Sequence, residues 1–176
     1  FKEMKENEAL TQSEVKSDVA VVYDYESMAS FRIQRQSFLM DYKQEVYRLY
    51  RPFYKKNINM DVIPSDSDFD KYKVLLLPVM IVHKKEVQDK VRKFVSGGGT
   101  VVFTYRTAVK DYYNNLTLGQ FNPTYYTDLV GGYVEEVESF QDDQVAFLIG
   151  NVEFEGINGT ATVFRDMLKT TTAKTL

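Results

Sequence analysis

Cysteine and tryptophan do not occur in this chain of 176 residues, and histidine occurs once, at position 83. The first absence removes disulfides, thiol nucleophiles and thiolate metal sites together, and it fits a cytoplasmic protein. One histidine cannot build a metal site without several carboxylates beside it, so neither a metal nor a cofactor is expected. Long apolar runs are missing too. No stretch approaches the roughly 20 residues needed to cross a bilayer, and the opening segment FKEMKENEAL is charged, without the apolar centre of a signal peptide. A net charge of -3 gives no electrostatic reason to expect nucleic acid or an anionic membrane as partner.

What is present is the composition of one globular domain, 44% hydrophobic and 27% charged, large enough to bury a core and too short for a second complete one. The chain shows no internal repeat and no low-complexity linker. Its first residue is Phe1, and its last segment, TTTAKTL, carries neither a helix cap nor a polar tail. A piece of a longer protein is therefore expected.

Periodicity gives the order of elements. Residues 18–24, DVAVVYD, form a β-branched run without polar alternation, as in a strand buried on both faces. From Ser37 to Lys56, apolar side chains at Leu39, Tyr42, Val46, Leu49, Tyr50 and Phe53 recur every three or four residues and predict an amphipathic helix ending near Asn57. NMDVIP (59–64) and KVLLLP (73–78) read as two more strands separated by a polar run. Residues 84–96 predict a second helix with Val87, Val91, Phe94 and Val95 on one stripe, ended by the glycines 97–99; TVVFTY (100–105) follows as a fourth strand. This order predicts a three-layer α/β domain, a mostly parallel sheet covered by helices on both faces. Residues 131–138, 144–149, VEFEG and TATVF predict short alternating strands, an antiparallel extension.

In such a sheet, ligands and contacts gather beyond the carboxyl ends of the strands. The loops there are DYES, PSDSD, PVMIVH and YRTAVKD. If the strand order is flavodoxin-like, DYES and PVMIVH flank the point where it reverses. Asp24 and Glu26 could be a general acid and base, which need carboxyls about 5–10 Å apart. Acids at the end of a buried strand also commonly cap a helix or pair with a loop arginine, and this reading is preferred because glycosidase carboxylates usually come from separate strands and an acid–base pair needs one raised and one lowered pKa. The triple glycine follows a helix and precedes a strand, the reverse of a phosphate-cradling loop, so it reads as a helix stop. His83 reads as a loop or helix-start residue rather than a base. Arg106, Lys110 and Asp111, next to Tyr105, offer a guanidinium that could pair with Asp24 or Glu26, with another internal acid or with another subunit. Of 13 tyrosines, Tyr112, Tyr113, Tyr125 and Tyr126 lie close by and suit a protein contact surface.

Taken together, VAVVYDYES, INMDVIPSDSDFDKYKVLLLPVMIV, VRKFVSGGGTVVFTYRTAVKD and DLVGGYVEEVESF resemble, in this order and spacing, the middle, trimerisation domain of the β-galactosidases of glycoside hydrolase family 42. The tail GTATVFRDML is similar to the stretch that follows in those enzymes. The resemblance implies a fold like that of the class I glutamine amidotransferases, flavodoxin-like, without their cysteine nucleophile. It implies residues 1–14 as the end of a linker helix from a catalytic barrel, 15–140 as the trimerisation domain, and 141–176 as a β-rich extension of it. The catalytic glutamates of the family lie in that barrel, so no catalytic residue is expected here. The implied partners are two further copies of the chain in a homotrimer, the barrel, and indirectly a galactoside. By motif position, Asp24, Tyr25, Glu26, Tyr105, Arg106, Lys110 and Asp111 are the candidates for contacting a neighbouring subunit or bordering the sugar. After Lys110 the chain departs from the family's pattern with DYYNNLTLGQFNPTYY. The alternatives are a stand-alone small-molecule binding or sensing module that uses the switch-point crevice, and a degenerate amidotransferase-type enzyme.

Overall fold

A computed structural model describes residues 1–141, 146–149 and 158–174. Four parallel strands form the central sheet: β1 (Val19–Tyr23), β2 (Met60–Pro64), β3 (Val74–Leu77) and β4 (Thr100–Phe103), in the order β2-β1-β3-β4. Val21 of β1 lies opposite Val62 on one side and Leu76 on the other. The order reverses at β1, so the chain leaves β1 and β3 on either side of a switch point.

Alternation along the buried strands sends their side chains to two cores. Val19, Val21 and Leu76 pack with Phe31, Tyr42 and Val46 on one face. Ala20, Val22, Leu75 and Leu77 pack on the other with Val87, Val91 and Phe94. The predicted helices on both faces are thus present, as α4 (Tyr42–Lys55) and α5 (Lys85–Ser96). α4 starts later than its apolar stripe predicts. Asp41 caps it, accepting hydrogen bonds from the Lys43 and Gln44 N–H groups at 2.9 and 3.3 Å, which leaves Leu39 in the preceding loop. Gly97 caps α5, and at Gly99 any Cβ would stand 2.3 Å from the Phe94 ring, so the glycine run is a helix stop packed against its own helix.

One helix was not foreseen. DYES is not a loop, because α3 spans Tyr25–Ile33 with Asp24 as its N-cap. Its buried positions are Ser27, Ser30 and Phe31, so the face it presents to the domain is largely hydroxyl and carries no apolar stripe. Two short helices, α1 (Lys2–Glu6) and α2 (Glu8–Thr11), bury no residue, and α6 (Thr127–Val130) ends at Gly131 with φ +66°. The antiparallel extension is present as two pairs: β5 (Gly132–Ser139) with β8 (Phe164–Thr170), and β6 (Ala146–Ile149) with β7 (Asn158–Ala161). The predicted strand TATVF (160–164) spans instead the turn between β7 and β8, with 162–163 in neither, while VEFEG at 152–156 lies outside the described residues. Phe164 and Val163 join the α4-side core, which ties the extension to the sheet. Among the described residues no helix is long and apolar enough to cross a membrane.

Candidate functional site

At the carboxyl edge, β1 runs directly into α3, so Asp24 is drawn under the sheet edge rather than displayed on it. It is 2% exposed. One carboxylate oxygen accepts the Ser27 N–H and the other the Ser65 hydroxyl, each at 2.8 Å, and the Asp24 N–H donates to the Tyr42 hydroxyl at 2.8 Å. Burial raises the Asp24 pKa, and the hydrogen bonds from Ser27 and Ser65 only partly offset it. Burial pushes Tyr42 well up in the same way.

Glu26, in the first turn of α3, faces Lys84 at 2.5 Å. Burial works against its charge, but the Lys84 ammonium outweighs it and holds the pKa below the ordinary carboxylate range. The Lys84 ammonium also lies 5.8 Å from the centre of the Tyr112 ring. Tyr25 between the two acids is exposed and meets the Tyr23 ring edge-on at 5.0 Å.

The loop after β4 does not bring its arginine to these acids. The Arg106 guanidinium donates to Gln36 Oε1 at 2.6 Å, and the Arg106 N–H donates to Asp166 of β8 at 2.8 Å. The expectation that Arg106 meets Asp24 or Glu26 is therefore corrected. Its pairing is internal, with acceptors from the extension and the α3–α4 loop that lie 60 and 70 residues away in sequence. Burial lowers the Arg106 pKa and raises that of Asp166. Tyr105 packs 5.5 Å from Phe164, its hydroxyl pKa driven up by burial and by the nearby Glu45 charge.

Lys110 is 3% exposed and has no carboxylate partner among its hydrogen bonds. Its ammonium donates to Ser30 Oγ at 3.2 Å and Asn114 Oδ1 at 3.1 Å, while the Ser30 hydroxyl donates to Asn114 at 2.6 Å. Burial, then the Arg106 charge, lowers its pKa. Asp111 closes a local turn, accepting the Asn115 N–H at 2.9 Å, and this backbone bond leads the causes that depress its pKa. His83 is buried beside the start of α5 and stacks on Tyr125 at 4.4 Å, and burial lowers its pKa.

Four of the seven candidates take their main polar contacts from different partners: Asp24 from two serines, Glu26 from Lys84, Arg106 from Gln36 and Asp166, and Lys110 from Ser30 and Asn114, with Asp24 and Glu26 also acting on each other. They do not converge on one reacting atom, as acid–base chemistry would require. Among the described residues no group of three His, Asp or Glu side chains is placed to hold a metal. Sequence reasoning missed Lys84, Ser65, Gln36, Asn114 and Asp166. Only the Asp24–Ser27 spacing, a capping signal, was available to find any of this.

Between Asp111 and Tyr126 the loop carries Tyr112, Tyr113, Leu116, Leu118 and Phe121 outward, with Tyr113 81% and Leu118 85% exposed. Tyr126 departs from the expectation of a contact residue. It is fully buried against Phe103 and His83, because the loop turns inward there.

Residues 17–176 match the family model of the β-galactosidase trimerisation domain. A β-galactosidase of Bifidobacterium bifidum is 35% identical over 130 residues, 73% of this chain and 19% of that protein. A β-galactosidase of a Geobacillus strain is 28% identical over 150 residues, 85% of this chain and 22% of that protein. The crystal structure of the β-galactosidase from Bacillus circulans sp. alkalophilus superposes with a TM-score of 0.87 at 27% identity, over 94% of this chain and 25% of that one. The chain spans about a fifth to a quarter of the length of the relatives it matches. Their shared region is the one described above, a parallel sheet with an antiparallel extension, and the chain belongs to the family of β-galactosidase trimerisation domains.

Proposed function

We propose that this chain is the non-catalytic assembly domain of a family 42 β-galactosidase. In this reading residues 1–14 end a linker from a catalytic barrel, 15–140 form a flavodoxin-like, amidotransferase-like trimerisation domain, and 141–176 extend it. Three copies associate, and the longer protein hydrolyses terminal β-galactosides in its barrel. The family match over residues 17–176 carries the reading. The geometry supports it: the carboxyl-edge acids are consumed in a cap and an ion pair, and the outward aromatic run between Tyr112 and Phe121 suits a protein surface.

Within that surface Tyr25, Glu26 and Asp111 are the members of the candidate set closest to solvent, and Asp24, Tyr105, Arg106 and Lys110 hold the loops in place beneath them. Hydrolysis of a chromogenic galactoside by the full-length protein, with none by these 176 residues alone, is the expected result. Turnover by this chain that disappears in Glu26→Gln would overturn the reading. Sedimentation equilibrium of the full-length protein is expected to give three times the chain mass. A monomer at millimolar concentration would remove the assembly role.

A further inference from the structure

His83, the one histidine of the chain, stands just before α5 and is 7% exposed. Its backbone N–H donates to the Lys110 carbonyl at 2.8 Å, which fixes it at the sheet edge. The imidazole is covered by the segment that returns from the exposed loop. It stacks on Tyr125 with ring planes 26° apart and meets Tyr126 edge-on at 5.6 Å. The imidazole Nδ1 is buried without a hydrogen-bond partner, and so is the Tyr126 hydroxyl.

The returning segment is tied down at few points. Arg92 of α5 donates to both Asp128 carboxylate oxygens at 2.8 Å and to the Tyr125 carbonyl, and the Thr124 N–H donates to Ala108 at 3.0 Å. Tyr125 has φ +69°, a left-handed conformation that a tyrosine keeps only where its surroundings impose it. The stack on His83 and the Arg92 bond to its carbonyl are such constraints. Around the imidazole, α5 supplies Lys85, which opposes a second cation, and Asp89 and Gln88, which favour it. Lys84, next in the chain, is paired with Glu26. The returning segment brings Tyr125 and Tyr126, and the Lys110 ammonium is turned away to Ser30 and Asn114. Burial outweighs Asp89 and Gln88 and holds the His83 pKa below the ordinary 6.5.

We infer that His83 is a pH-sensitive latch: its neutral ring holds residues 122–130 against α5, and protonation releases that segment. With the proton of the neutral ring on Nε2, Nδ1 is a bare nitrogen. A protonated ring carries N–H groups on both nitrogens, and Nδ1 becomes a buried donor without an acceptor. The Tyr125 ring attracts a cation, but the Nδ1–H of a stacked imidazole lies in its own ring plane and cannot point into that face. Opening the segment gives the nitrogen to water and removes the cost. An exposed imidazole binds its proton with the ordinary pKa of 6.5 and the covered one binds it more weakly, so opening grows as pH falls below 6.5. The latch itself goes beyond the assembly reading. Its effect on association rests on that reading, since the segment anchors one end of the outward aromatic run between Tyr112 and Phe121.

Mass spectrometry of the full-length protein, resolved peptide by peptide, tests the latch in two ways. Exchange of the imidazole C2 hydrogen, followed across pH in the peptide carrying His83, gives its pKa, which is expected below 6.5. Amide exchange of residues 122–130, corrected for the intrinsic effect of pH, is expected to show opening that rises severalfold from pH 7.5 to pH 5.5. One proton sets a ceiling of about tenfold over that interval. Residues 19–22 of β1 are expected to be equally protected at both pH values. His83→Phe keeps a ring for the stack and binds no proton, so its opening is expected to be the same at both. A His83 pKa of 6.5 or higher overturns the inference. So does equal opening of the parent at the two pH values, or a rise in acid that persists in His83→Phe. The C2 titration needs only the parent protein and decides the matter even if the variant does not fold. Sedimentation of the parent at pH 7.5 judges the assembly reading separately: a monomer there removes the assembly role and leaves the latch to the exchange data.

Discussion

Replacing Asp24 with alanine distinguishes a carboxylate that organises the loop from one that transfers protons. The change removes the acceptor for the Ser27 N–H in the first turn of α3 and the acceptor for the Ser65 hydroxyl, both 2.8 Å bonds in a buried setting. Loss of an N-cap costs about 1 kcal/mol, and a buried hydroxyl left without a partner about 1–3 kcal/mol. Asp24→Ala is therefore expected to lose about 3 kcal/mol, a fall in Tm of roughly 6–12 °C for a domain of this size. Asparagine behaves differently, because its amide oxygen can still cap Ser27 and its amide nitrogen can donate to the Ser65 oxygen. Asp24→Asn is expected to stay within about 1 kcal/mol of the parent at pH 7.

The pH dependence supplies a second readout. The folded-state pKa of Asp24 is raised by burial, so the folded protein binds this proton more tightly than the unfolded chain. At pH above the folded pKa the buried charge lowers stability, and that cost is relieved as pH falls through the folded value toward the ordinary 3.8. Asp24→Asn has no such proton, so its stability relative to the parent is expected to decline as the medium is acidified. Urea unfolding of the three proteins at pH 7 and pH 5, followed by circular dichroism, measures both effects. Asp24→Ala within 0.5 kcal/mol of the parent, or Asp24→Asn as damaging as Asp24→Ala, would refute the reasoning; the second result would mean that the charge itself is needed.

Glu26 carries the opposite sign: its pKa is lowered, so its contribution is present above the ordinary carboxylate pKa and lost as pH falls through the folded value. Lys84→Met should raise the Glu26 pKa in a carboxyl-resolved NMR titration, while costing under about 1 kcal/mol because the pair is partly solvated. Leu75→Ala, at a fully buried position of the central sheet, is expected to cost about 2–5 kcal/mol in urea unfolding. Gly99→Ala is expected to lose about 1–3 kcal/mol through the clash with the Phe94 ring, and Phe94→Leu in the same chain should recover part of it. Tyr113→Ala should leave Tm within about 1 °C, its ring being exposed, and weaken self-association of the full-length protein in sedimentation.

The central sheet was legible because a strand buried on both faces needs an unbroken apolar run, and DVAVVYD and KVLLLP supply one each. α4 and α5 were legible for the matching reason, an apolar stripe at helical spacing. α3 was not, because its buried face is Ser27, Ser30 and Phe31: hydroxyls satisfied by Val82, Lys110 and Asn114 take the place of apolar packing. Periodicity of hydrophobic residues is blind to such a helix, and only the capping residue marked it. The start of α4 slipped for a similar reason, since Asp41 stops the helix where the apolar pattern continues. Site residues were legible as positions and not as partners. Arg106, Gln36 and Asp166 meet only because β8 returns to the sheet, and no local pattern encodes a contact across 60 residues.

The carboxyl edge of an α/β sheet hosts chemistry when its polar groups are left facing a shared crevice. Here each is spent before it reaches one. Asp24 is turned under by the helix it caps, Glu26 is neutralised by a lysine from the next crossover, and Lys110 is held by α3 and its own loop. Neither acid lines the 580 Å³ cavity beside β4 or the smaller cavities around Arg32. These internal bonds fix the positions of the DYES and YRTAVKD segments, and a fixed backbone lets the loop from Tyr112 to Phe121 hold its aromatic residues outward without an entropic cost at the moment of contact. On the proposed assembly role these groups supply rigidity to a contact surface, and loosening them is expected to weaken association before it weakens folding. Lys110→Met tests this order of events. It breaks the tie to Ser30 and Asn114, and it is expected to speed amide exchange across residues 111–121 and reduce self-association of the full-length protein, while exchange in β1 and β3 stays unchanged.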